Sequence, residues 1–593
     1  MKFLFLPFLI ISMMTSCKLS NNNQHNVDNT ELAALFGKYY EDRLELFPLE
    51  ATANGDSRYN DRLYADFTDS YRTKLKQFYS KYLVYVTRFD RNELNENDKI
   101  SYDIFTHEME MSLKGLKFQN NYTPFDQFDG LTLSMGQMGS GEGNQPFKTV
   151  KDYENWLKRM HAFSPWADSA IVYFKKGIDA KYVLPKVLVE KMIVQMDAMI
   201  ESEASKSIFF GPINKLPVGF TEVDKKRLTD NYITAINQQI IPSYKKLGDF
   251  LKNEYLPKAR LTAGINDVPD GKEYYKYLIS YWTTTDLTAD EIYNTGLAEV
   301  KRVRNEMEGV KNEVGFKGNL KAFFEFMKTD KQFTPFKTPQ EVLSAFHTIQ
   351  TKMEPSLKTM FTSTPTTKFE IRQTEAFRAA SASAEYNPGA PDGSRAGIFY
   401  IPILDATKFN TTSGMESLFL HEAIPGHHYQ VSLQMENKKL PDFRRFIWYG
   451  AYGEGYALYC ESLGKELGLY TDPYQHMGAL GDEILRAIRL VVDAGIHTKN
   501  MTREQAIQYM LDNESMTEEY ATSEIERYMA IPGQALSYKI GALKIRELRN
   551  KYQQELGKEF KLPSFHHELL KDGCMPLDVL EKKMDVWAEK LKK

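Results

Sequence analysis

From about residue 30 onward, apolar residues recur at spacings of three and four and almost never alternate. A 3.6-residue period commits a chain to amphipathic helices packed on one another and leaves little room for sheet. The stretch VLPKVLVEKMIVQMDAMIESEASKS puts Val189, Ile193, Met196 and Ile200 on one stripe. TADEIYNTGLAEVKRVRNEMEGV opens on a capping box, Thr288 and Glu291, and then carries Ile292, Val300 and Val303 on one side. GDEILRAIRLVVDAGIH and TREQAIQYML behave alike. The clearest strand signal is AGIFYIPIL, residues 396–404, β-prone and preceded by the turn-rich NPGAPDGSR. The expected fold is therefore mostly α, with one small β-sheet. Within it, GIFYIP is expected to present a sheet edge to which an extended peptide could add.

No internal repeat interrupts this pattern. The Gly-rich GQMGSGEGN, residues 136–144, lacks the Gly-Lys-Ser/Thr ending of a phosphate-binding loop and reads as a surface loop. Soft breaks near residues 210–220 and 258–272 suggest one helical body, residues 31–593, in two lobes of about 31–260 and about 261–593.

The N-terminus reads differently. MKFLFLPFLIISMMTSC has a basic start at Lys2, an apolar run too short to span a membrane, and small residues before Cys17. Residues 1–16 are expected to be a signal peptide. MTSC resembles a bacterial lipobox, which implies lipid on Cys17, and residues 17–30 form a polar, Asn-rich tether that cannot bury enough surface to fold. The expected location is the bacterial cell envelope, with a soluble body lipid-anchored to a membrane. Three cysteines (Cys17, Cys460 and Cys574) exclude a disulfide framework. A net charge of −4 without a basic, aromatic-interleaved patch excludes nucleic acid as a partner. The many Tyr and Phe residues are read as core filling.

Chemistry concentrates in HEAIPGHHYQ, residues 421–430. In the zinc-protease pattern H-E-x-x-H, two histidines one helical turn apart share a face, and the Glu beside the first reaches the activated water. Here the histidine is displaced by two positions, which on a regular helix places it about 120° off face and about 9 Å away. Pro425 and Gly426 supply a remedy, since one removes an amide donor and the other tolerates unusual dihedrals. A two-residue bulge there is expected to return His427 to the face of His421, with His428 as the alternative. Three histidines within eight positions beside a Glu, in a chain with only 11 histidines, favour a metal site over chance.

A third ligand is needed. EGYALY, residues 454–459, is similar to the pattern with which gluzincin aminopeptidases present theirs, and that likeness implies Glu454. Glu461, two turns on, is then expected behind a ligand or against substrate. Arg486, Arg489, Asp493 and His497 form one polar stripe on an apolar helix, either a buried ion-pair network or an active-site wall. His497 and Tyr538 are the candidate donors for an oxyanion.

Taken together, YYKYLISYWTTTDLTADEIYNTGLAEV, YNPGAPDGSRAGIFYIP, HEAIPGHHYQ, GEGYALYCESLG, RLVVDAGIH and PGQALSYKIGALKIRELR resemble the bacterial domain-of-unknown-function 885 family. That family comprises lipoproteins and secreted proteins grouped with zincin-like metallopeptidases. The resemblance implies a two-lobed, thermolysin- or neurolysin-like helical fold, with His421, His427 and Glu454 holding Zn2+ and Glu422 as general base. The expected activity is hydrolysis of peptide bonds. The resemblance does not settle the substrate, and short peptides are expected only by analogy with the fold, whose deep cleft between helical lobes excludes bulky chains. A peptide-binding lipoprotein without turnover and a metal-dependent hydrolase of non-peptide amides are the alternatives.

Overall fold

A computed structural model describes residues 28–374, 383–390, 393, 395–412 and 414–592. The expected signal peptide and Cys17 lie outside the described residues. The expected tether ends earlier than residue 30, because Asn29 caps the helix Thr30–Leu46 and its amide donates to Asp98. Helices dominate, and the local signals sit where the period placed them. The capping box of Thr288 and Glu291 starts the helix Ala289–Glu313, which buries Ile292, Val300 and Val303. Val189 and Met196 are buried on the helix Lys186–Ala198. The Gly-rich stretch is only partly a loop, because its first four residues end a helix, Leu131–Gly139, whose Gly136 and Gly139 are buried. No helix among the described residues is long and apolar enough to cross a membrane.

The apolar side chains gather into three cores. Phe67 and residues 125–255 form one. A second is centred on Ala289–Glu313 packed against Pro473–Thr498. The third joins residues 32–109 to residues 275–588 and encloses the His-rich segment. The two-lobe division near residue 260 therefore needs correcting at its N-terminal end. The helices Thr30–Leu46, Asp69–Val86 and Glu96–Gly115 belong to the core of the C-terminal half. Their aromatic faces decide this, since Phe36, Tyr39 and Phe105 pack tilted or edge-on against Phe443, and Phe78 and Tyr82 pack on Tyr39 behind them. Such contacts each contribute about 0.5–1.5 kcal/mol beyond the area they bury.

One small sheet accompanies the helices. Its strands are β1 (Phe369–Gln373), β2 (Glu385–Asn387) and β3 (Gly397–Ile401), in the order β1-β3-β2. β3 runs parallel to β1 and antiparallel to β2. GIFYIP is thus not an edge, contrary to the expectation. All five residues of β3 are buried, and a run apolar on both faces belongs in the middle of a sheet. Both edge strands reach the His-rich segment, β1 through Phe369 and the short β2 through Tyr386.

Candidate metal centre

His421 and Glu422 close the helix Met415–Glu422, where fully buried Phe419 and Leu420 fasten it to the core. Each such side chain stabilises by about 1.5–3 kcal/mol. The chain then leaves helical geometry at Ala423 and Gly426, with ψ of −108° and −126°, and resumes as the helix His427–Glu436. The expected bulge is in fact a complete break between two helices. Pro425 cannot donate to the preceding turn, and the Tyr456 hydroxyl donates to its carbonyl at 2.9 Å, holding the break from below. Gly426 is required by space, because a Cβ there would lie 2.0 Å from the His421 carbonyl oxygen and 2.3 Å from that of Leu420.

The break brings the His421 and His427 rings to 4.9 Å between centroids, nearly perpendicular at 88°. Glu454 projects from the helix Gly450–Glu461, with its Oε2 3.5 Å from Nε2 of each histidine. That helix sits unusually close to the helix Leu536–Leu556, since a Cβ on Gly455 would come within 2.5 Å of the Gly541 Cα. Close glycine contact thus sets how far Glu454 reaches.

These three groups fit zinc. Bonds of about 2.0–2.1 Å at tetrahedral angles put ligand atoms roughly 3.3 Å apart. Glu454 stands 3.5 Å from each histidine nitrogen, and all three ligand atoms lie within 4.8 Å of one another. The 3.5 Å distance is long for a hydrogen bond. His421 Nδ1 faces Glu461 Oε1 at 2.7 Å, and donation to that carboxylate leaves Nε2 as the nitrogen that faces the centre. Arg486 lies 3.6 Å from the same Glu461 oxygen and also pairs with Asp482. Burial opposes charge on both His421 and Glu454, yet their mutual contacts win. Glu454 and Glu461 hold His421 well above the usual histidine range, and the two histidines hold Glu454 well below that of a carboxylate.

Of the two adjacent histidines, His427 faces Glu454. His428 points toward the sheet, with Nδ1 2.9 Å from the Tyr386 hydroxyl and its ring against Phe369, and burial pushes it down to about 4. Glu422 stands beside the triad, with Oε1 3.9 Å from His421 Nε2, and its Oε2 accepts the backbone N–H of Tyr386 at 2.8 Å. Strand β2 therefore aims this carboxylate. No sequence signal pointed to Tyr386, because the contribution comes from its amide and not its side chain.

The polar stripe divides. Its Arg486 end touches Glu461, while the rest is a buried network: Arg489 binds Glu524 and Tyr528, and Asp493 accepts from Tyr275 and from the Gly533 amide. His497 needs correcting as an oxyanion donor. It is fully buried, with Nδ1 accepting the Ile265 amide and Nε2 donating to the Tyr528 carbonyl, so neither nitrogen is free. Burial lowers it to about 3, and it stands 11 residues, about 16 Å, along the helix from Arg486. Tyr538 is half-buried, its ring 4.7 Å from the Arg489 guanidinium.

The chain belongs to the family described as "Bacterial protein of unknown function (DUF885)", which matches residues 48–584. Its structure is similar to that of "the putative lipoprotein from Colwellia psychrerythraea", with 27% identity, a TM-score of 0.87, and coverage of 95% of this chain and 99% of that one. "A putative lipoprotein of unknown function from Shewanella oneidensis" is similar at 19% identity and a TM-score of 0.74, covering 93% and 99%, a likeness of fold alone. No curated protein matches the chain at a significant level.

Proposed function

We propose that this member of the DUF885 family is a zinc-dependent peptidase, lipid-anchored in the bacterial envelope, that hydrolyses short peptides. One observation carries the reading. Two histidines and a glutamate converge at zinc-ligand spacing, with a second glutamate beside them held by a strand amide. A pure binding protein has no use for a base in that place.

Zinc bound by His421, His427 and Glu454 would supply Lewis-acid activation of water and of the scissile carbonyl. Glu422 takes the proton of the attacking water and passes it to the leaving amine. The Tyr386 amide keeps one of its oxygens occupied, so the other is presented to the centre. Glu461 fixes the His421 tautomer. Tyr538 is the remaining candidate donor to the oxyanion. The relation to zincin-like, thermolysin- or neurolysin-like peptidases belongs to this same reading and is supported by the ligand pattern.

Zinc content tests the ligand set. His427→Ala protein is expected to lose the ion, whereas His428→Ala should keep about one zinc per chain. Glu461→Gln should weaken zinc binding by about 10–100-fold, the usual scale for a group that orients a ligating histidine. Equal zinc content in the two histidine variants would sink the assignment. A mixed-peptide digest read by mass spectrometry then separates a peptidase from a silent peptide binder or a hydrolase of other amides.

The anchor rests on Cys17 and agrees with the lipoprotein descriptions of the similar structures. Cys17→Ser protein is expected to leave the membrane fraction or remain unprocessed. Unchanged fractionation and processing would remove the lipid from this reading.

A further inference from the structure

A cavity of about 230 Å³ opens where the helix Gly450–Glu461 begins. Tyr40, Trp282 and Phe446 wall it, and Tyr281 and Trp448 stand at its rim. The two rim aromatics are 47% and 45% exposed, apolar surface that the fold itself leaves uncovered. The cavity is smaller than the 300 Å³ or more typical of a site for a whole small molecule, and suits a single side chain.

Its permanent charges, those of Arg43, Glu50 and Glu108, are unbalanced, and His107 also lines it. Arg43 and Glu50 both line it but close on each other through two parallel 2.8 Å hydrogen bonds. Glu108 remains. Its Oε1 accepts the Tyr449 hydroxyl at 2.7 Å, and among the described residues no Lys or Arg pairs with it. A carboxylate set among aromatic faces is the chemistry that receives an ammonium or guanidinium group.

The cavity also adjoins the metal centre. Trp448 lies 5.8 Å from the His427 ring, and Gly450, on the cavity wall, precedes Glu454 by four residues of helix, about 6 Å. Extended chain advances about 3.3 Å per residue, so that distance is one to two residues of a bound peptide.

We propose that this cavity is a specificity subsite that takes a Lys or Arg side chain of the peptide substrate, close to the scissile bond, with Glu108 as counter-charge. The proposal rests on the peptidase reading for its substrate class, but its binding test does not depend on turnover. The probes are blocked tetrapeptides, identical except for Lys, norleucine or Glu placed at each position in turn. Calorimetry measures their binding to the metal-free full chain, and hydrolysis is followed separately with zinc-loaded protein.

At one position Lys is expected to bind about tenfold or more tightly than norleucine. Glu108→Gln should erase that gap, since Gln still accepts the Tyr449 hydroxyl but carries no charge. Met111→Lys, which places a cation on the cavity wall, should erase it too and favour the Glu peptide. No Lys preference, or one that survives both variants, overturns the proposal. A Lys preference in binding without any hydrolysis would defeat the peptidase reading and leave the subsite standing. Hydrolysis without the preference would do the reverse.

Discussion

Glu422→Gln protein is expected to keep its fold and its zinc while peptide hydrolysis falls by about 10²-fold or more, the scale of a lost general base. The substitution is well isolated. A Gln oxygen can still accept the Tyr386 amide that now binds Oε2, so the side chain should stay in place. It cannot accept a proton at neutral pH. Zinc content and peptide hydrolysis measured on one preparation decide among three roles. Loss of both together would make Glu422 a ligand. Loss of hydrolysis alone identifies the base. Unimpaired hydrolysis by zinc-loaded Glu422→Gln would falsify the mechanism, whatever the family.

The second large effect is expected at a residue with no chemistry. Gly426→Ala should cost about 3 kcal/mol or more, because overpacking that no side-chain rotation can relieve lies at the upper end of such effects. The atoms in the way are backbone carbonyls of Leu420 and His421, so relief must move the very turn that carries the first ligand. Zinc affinity should fall together with stability. Gly481→Ala serves as the control. A Cβ at Gly481, on the helix Pro473–Thr498, meets nothing within 4 Å, and the change should be neutral or stabilise by up to about 1 kcal/mol. Thermal unfolding of metal-free protein and zinc titration of both variants check the pair. A Gly426→Ala protein as stable as its parent would show that the break has room that the close contacts deny.

The His-Glu pair, the interruption by Pro425 and Gly426, and the two glutamates 454 and 461 were all visible in order along the chain. So were the helical period and the capping box at Thr288. Each is a local property, written in spacing or in the dihedral habits of one or two residues, and local physics acts the same way before and after folding. Convergence is not local. Whether His427 or His428 meets Glu454 depends on the direction in which the second helix leaves the break. The helix Gly450–Glu461 and the sheet settle that direction by claiming one ring each. The reach of Glu454 depends on glycine contact between helices 86 residues apart at Gly455 and Gly541.

His497 shows the opposite case. Its place in a polar stripe suggested chemistry, but the Ile265 amide and the Tyr528 carbonyl, both distant in sequence, use up its two nitrogens. GIFYIP was legible as a strand and not as a central one, because a strand's neighbours are chosen by the chain that returns to pair with it. Residue types and spacing along this chain therefore determined which groups were available for a metal centre. Tertiary packing decided which of them face one another, because side-chain direction at the ends of broken helices is set by contacts the local sequence does not contain.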